Sequence, residues 1–146
     1  MPDPRQQSRL YRRRPRLVLS EEDFSNLEAL AEGGLRRNPE LANRLFDELG
    51  RARVVPARKL PPHVVALGRV VTYRDEAIGQ EWTVIPVLPK DADITQQRIS
   101  VMTPIGVALI GLSEGVIFHW ETRTGERRIL TVLGVAPEKT AEERKA

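Results

Sequence analysis

The chain has no cysteine and only two histidines, His63 and His119, among its 146 residues. Without cysteine there can be no disulfide framework, no thiol nucleophile and no Cys-based zinc or iron–sulfur site. Two histidines leave little for a His-rich metal centre, and no metal or cofactor is expected. No apolar run approaches the roughly 18 residues a membrane span requires. The amino terminus also lacks the apolar centre of a secretory signal. The cytoplasm is therefore the expected location, with no membrane partner. Catalytic signatures are equally scarce: the sequence holds no G-x-x-x-x-G-K-[ST] phosphate loop, no G-x-S-x-G elbow and no H-E-x-x-H helix. No catalytic residue is assigned.

Charge is present but unevenly placed. The whole chain carries 23 Lys+Arg against 20 Asp+Glu, a net +3. Residues 1–19 contain Arg5, Arg9, Arg12, Arg13, Arg14 and Arg16 against Asp3, a local +5, so residues 20–146 stand at −2. The body is slightly acidic and only its leading segment is basic. That segment, MPDPRQQSRLYRRRPR, has three prolines and few apolar side chains, too few to offset the entropy of ordering it. Residues 1–16 are read as a flexible arm. Arg12, Arg13, Arg14 and Arg16 are its candidate contacts for DNA, RNA or an acidic protein surface; a solvated tail that aids solubility is the other reading.

From Leu19 the pattern turns helical. Ser20-Glu21-Glu22-Asp23 fits a capping box, Leu19 and Phe24 are placed to form a hydrophobic staple, and Phe24, Leu27, Leu30 and Ala31 recur at helical spacing up to Gly33-Gly34. A second helix starts at Asn38-Pro39 and is expected to run to about Val54, before Pro56. Its stripe of Ala42, Leu45, Leu49 and Ala52 is a narrow seam, suited to an antiparallel hairpin packed as a short coiled coil. Residues 17–55 are thus read as a helical hairpin, its arm only about 18–24 Å long at 1.5 Å per residue, and 56–62 as a linker.

Beyond the linker the pattern becomes β. Strands are expected over Val64–Arg74, over Glu81–Leu88 with Pro86 marking an edge or bulge, and over Ile99–Met102. Thr103-Pro104 then opens a two-turn helix closed by Gly111. Val116–Glu121 and Arg127–Val135 are paired around Thr124-Gly125. Residues 63–136 form the β domain and 137–146 a solvated tail, giving an α+β chain. Within it, His63 and His119 read as ordinary strand residues rather than bases, and Ser113-Glu114-Gly115 as a tight connection rather than a phosphate turn. Tyr73, Trp82, Phe118 and Trp120 read as packing residues rather than a base-stacking platform, since nothing basic is interleaved with them.

One stretch is more specific. Ile99 to Gly115, ISVMTPIGVALIGLSEG, resembles the signature of the C-terminal domain of Gre-type bacterial transcription elongation factors: a strand, a proline-led cap, a short helix ending A-L-[IL]-G, and a turn closed by glycine. Ser100-Val101-Met102, the run Pro104 to Leu112, the linker Leu60-Pro61-Pro62-His63-Val64-Val65 and the strand end His119-Trp120-Glu121 are similar to Rnk, the family named regulator of nucleoside diphosphate kinase. The resemblance covers about residues 17–138. It implies an N-terminal helical hairpin joined to an FKBP-like antiparallel β domain with one short helix. It also implies docking of the β domain on bacterial RNA polymerase, at the rim of the secondary channel, with the hairpin pointing inward.

In that family the polymerase-contacting segment is an acidic-Ser-Pro triplet. Here it corresponds to Met102, Thr103 and Pro104, so a more apolar docking surface takes the place of a salt bridge. Cleavage-stimulating Gre factors carry an acidic pair at the hairpin tip, able to hold a Mg²⁺. The tip here is Leu35, Arg36, Arg37 and Asn38, two of them cations, and flanking Glu32 and Glu40 fit better as helix-end residues. The expectation is a non-catalytic polymerase-binding regulator that competes with Gre-type factors and does not stimulate transcript cleavage. A nucleic-acid-associated protein acting through the arm and an FKBP-like peptidyl-prolyl isomerase are the alternatives. Nucleoside diphosphate kinase activity itself lacks the Asn-x-x-His-Gly setting.

Overall fold

A computed structural model describes residues 16–121 and 124–137. Arg12, Arg13 and Arg14 and the tail beyond residue 137 lie outside the described residues, while Arg16 is exposed. In chain order the elements are β1 (Leu17–Ser20), α1 (Glu21–Gly34), α2 (Pro39–Gly50), β2 (Ala52–Val55), β3 (Arg69–Asp75), β4 (Gln80–Val87), β5 (Arg98–Ser100), α3 (Pro104–Leu109), β6 (Ile117–Glu121) and β7 (Arg127–Pro137).

Both hairpin helices begin where their caps direct. Ser20 Oγ accepts from the Asp23 N–H at 3.1 Å, and Asn38 Oδ1 accepts from the Leu41 N–H at 3.2 Å with Pro39 in the first turn. Leu27 and Ala31 of α1 and Leu41, Ala42, Leu45 and Leu49 of α2 are buried. The second helix, however, ends at Gly50 rather than near Val54. Residues 52–55 instead form β2, which runs parallel to β1 with Leu17 opposite Ala52 and Ser20 opposite Val55. The β-branched pair Val54-Val55 favours a pleated strand once a partner exists. That partner is the four-residue segment Leu17–Ser20, a strand where a helical hairpin over 17–55 is expected.

The main sheet has five strands in the order β5-β4-β3-β7-β6. It is mixed, not antiparallel throughout as expected, because β4 and β5 run parallel while the other neighbours run antiparallel. β4 is an interior strand of the sheet, yet at Pro86 it has a strand partner on one side only, a local edge. The ladder to β3 ends at Val84, the ladder to β5 occupies Ile85–Val87, and the Pro86 carbonyl accepts from Gly68, just before β3 begins. The missing proline N–H therefore falls where no strand needs it. The expected strand start at Val64 is also displaced, to Arg69. Val64, Val65 and Ala66 are buried, yet Val65 trades backbone hydrogen bonds with Leu112 and Gly111, not with a strand of the sheet. At the other end β7 continues to Pro137, so residue 137, the first of the expected tail, pairs with Arg69 as the last of the sheet.

Hairpin and sheet share one apolar core. Leu27, Ala31, Leu45 and Leu49 belong to the same buried cluster as Val71, Val101, Leu109, Ile110, Leu130 and Val132. Gly111, with φ +82°, sits at the seam: its carbonyl accepts from Val18 of β1, and its N–H donates to Val65. Across the sheet, Tyr73 and Trp82 stack with centroids 5.8 Å apart, and Phe118 and Trp120 pack against the core. The buried carboxylate of Asp75 receives Arg128 at 2.6 Å and the Ala77 N–H at 3.0 Å, tying β3 to β7.

Asp23 pins the hairpin to the loop before β3, its Oδ2 accepting from the Leu67 N–H at 3.2 Å. Burial pushes its carboxyl above the ordinary value of 3.8; the Leu67 hydrogen bond opposes this, Glu22 adds to it and Arg69 opposes it. A carboxyl whose folded value lies above its unfolded one favours the protonated fold. Its stabilising contribution is complete below the unfolded value and is lost as pH rises through the folded one. Asp23→Asn keeps an oxygen for Leu67 and removes the buried charge. At pH 7 it is expected to match or exceed the parent in urea midpoint, with the advantage vanishing below about pH 4. A deficit at pH 7 that disappears at acid pH would reverse that sign.

Candidate docking site

The segment Met102-Thr103-Pro104 is built by the cap of α3. Thr103 Oγ1 accepts from the Gly106 N–H at 3.1 Å and donates to the Ser100 carbonyl at 2.8 Å, while Ser100 Oγ accepts from the Met102 N–H at 3.1 Å. The threonine hydroxyl is therefore committed to holding the turn. Pro104 occupies the first turn, where its lost donor costs nothing. Met102, Thr103, Pro104 and Ile105 are all half-buried, and Met102 and Ile105 also pack against the core, so the part of this segment left to solvent carries no charge.

Gly106 is what lets α3 lie this close to β5. A Cβ there would sit 2.6 Å from the Val101 carbonyl oxygen and 2.8 Å from that of Ser100.

The hairpin tip lies near this segment. A Cβ added at Gly34 would be 3.1 Å from the Met102 methyl and 3.6 Å from the Ala42 Cβ. Leu35, Arg36, Arg37 and Asn38 follow directly and are exposed, as are Glu32 and Glu40; Glu40 approaches Arg44 at 3.6 Å. The 14 and 12 residues of α1 and α2 make an arm of about 20 Å. The proximity of Met102 to Gly34 was missing from the sequence reading; the one local hint is a glycine as the last residue of α1, where a longer side chain would displace the thioether.

The other candidates are dispersed. His63 and His119 are exposed on separate segments, and among the described residues no three His, Cys, Asp or Glu side chains cluster as metal ligands. Ser113–Gly115 is a connection: Glu114 donates its N–H to the His63 carbonyl, and its Oε1 accepts from the Val135 N–H at 2.7 Å. No helix among the described residues is long and apolar enough to cross a membrane.

A short helical hairpin closed by a parallel strand pair, joined through a proline-rich link to a mixed sheet with a threonine-capped helix, defines a two-part factor of the Gre kind. The chain belongs to the Gre-type transcription elongation factor family: residues 60–137 match the family model for the transcription elongation factor GreA/GreB C-terminal domain, and residues 15–55 match that for the Rnk N-terminus. Among its relatives is the regulator of nucleoside diphosphate kinase of Escherichia coli strain K12, 30% identical over 120 residues, 82% of this chain and 88% of that protein. The transcription elongation factor GreA of Rickettsia felis is 36% identical over 83 residues, 57% of this chain and 51% of that protein. A solved structure, the prokaryotic transcription elongation factor GreA/GreB from Nitrosomonas europaea, aligns with a TM-score of 0.66 at 32% identity, over 84% of this chain and 99% of that one. These relatives are named as a regulator and as factors, not as enzymes.

Proposed function

We propose that this chain is a non-catalytic, cytoplasmic regulator of transcription elongation that binds bacterial RNA polymerase near its secondary channel and competes there with Gre-type factors without stimulating transcript cleavage. The observation that carries this reading is the tip: Leu35, Arg36, Arg37 and Asn38 present two cations and no carboxylate, on an arm of about 20 Å. Holding a second Mg²⁺ inside a polymerase active site requires carboxylate oxygens and reach. The capped segment Met102–Pro104 supplies the docking surface, and an FKBP-like β domain, which the family resemblance implies, would not by itself bring isomerase activity, since fold does not carry activity with it.

The test uses halted elongation complexes of purified polymerase. The chain added alone is expected to leave transcripts at full length, and added with a Gre cleavage factor it is expected to suppress the shortening that factor causes. Shortening by the chain alone, or undiminished shortening in the mixture, would overturn the reading. Thr103 is best probed as Thr103→Ser, which keeps the cap, so that a binding defect is not a folding defect.

A further inference from the structure

We propose that the hairpin tip and the segment before α3 form one composite surface that takes an acidic, partly apolar protein segment. The inference rests on the polymerase reading and specifies the chemistry of the contact within it.

Gly34 against Met102 places the tip beside the docking segment instead of letting it stand clear of the sheet. Arg36 and Arg37 are exposed, and neither is held in an ion pair among the described residues. Leu35 next to them is 42% exposed, and Met102, whose methyl lies against Gly34, and Pro104 are half-buried. Two guanidinium forks suit two carboxylates, each able to accept bidentately. The leucine, thioether and proline ring suit apolar side chains between or beside those acids.

A phosphate backbone fits this surface less well. Exposed Glu32 and Glu40 stand on either side of the two arginines and would repel a continuous polyanion, whereas they leave room for isolated carboxylates. The tip Leu35–Asn38 also has no aromatic ring on which a base could stack.

Binding of the full chain to purified polymerase is the experiment, with the parent, Arg36→Glu/Arg37→Glu and Met102→Ala compared at low and physiological salt. Thermal unfolding of each variant serves as the folding control. The charge reversal is expected to unfold with the parent and to bind about tenfold more weakly or worse, with a flatter salt dependence. Met102→Ala is expected to weaken binding while leaving the salt dependence as in the parent. If the parent itself does not bind, the polymerase reading falls and this inference with it. If the parent binds and the charge reversal binds equally well, only the composite surface is overturned. If the reversal instead abolishes binding to short duplex DNA or RNA while polymerase binding is intact, the surface serves nucleic acid and the proposal is wrong.

Discussion

Gly106→Ala is expected to destabilise the protein by about 3 kcal/mol or more, the upper part of the range for overpacking a closed site. The added methyl would meet the Val101 carbonyl oxygen at 2.6 Å, the Val101 Cα at 2.7 Å and the Ser100 carbonyl oxygen at 2.8 Å. All three are backbone atoms, so no side-chain rotation relieves the clash. Relief requires α3 to move away from β5. That motion pulls Thr103 Oγ1 from the Ser100 carbonyl and shifts Val107 and Leu109 out of the core. Urea unfolding followed by tryptophan fluorescence reads the loss, and a midpoint within error of the parent would show that α3 moves off β5 at little cost. Polymerase binding is expected to fall along with stability, because the same turn presents Met102 and Pro104.

Leu45→Ala carries the second large effect, about 2–5 kcal/mol for a fully buried leucine emptied to a methyl. Its use is diagnostic as well as quantitative. Leu45 lies in α2, whereas both tryptophans, Trp82 and Trp120, lie in the sheet. Because the buried cluster is continuous from α2 to β7, helix loss by circular dichroism and tryptophan exposure by fluorescence are expected to coincide in the parent and to shift together in the variant. A hairpin that melts before the tryptophans respond would mean two separately stable lobes.

Capping made much of this architecture readable in advance. Ser20, Asn38 and Thr103 each place an oxygen for an orphan N–H of the first turn, a local interaction that sequence spacing reveals directly. The 116–135 hairpin was legible for the same reason, its turn being marked by Thr124-Gly125. What escaped is non-local. The four residues of β1 have no periodicity to announce them, and their partner β2 appears only after a helical hairpin has been traversed. The parallel pairing of β4 with β5 depends on a ten-residue crossover through Leu88 to Gln97 that carries two short 3₁₀ turns and no strand signal. Within the candidate site, the residues of the capped segment and of the tip were legible individually. Their nearness was not, because it depends on how the hairpin lies over α3, a packing outcome that one-dimensional spacing does not encode.

The position of β1 also fixes an order of assembly. Leu17 and Leu19 leave the ribosome before the elements they pack against, yet they are fully buried only when β2 has been made and when Gly111, more than ninety residues later, offers its carbonyl to Val18. During synthesis the hairpin can close locally while its own amino-terminal strand remains half-covered. The last contact β1 gains thus comes from a residue made long after it, and a nascent chain stopped short of residue 111 would display Leu17 and Leu19 to whatever binds exposed leucines. Completion of the fold is in this sense a check that residues 102–104, the segment proposed to dock, have already been translated.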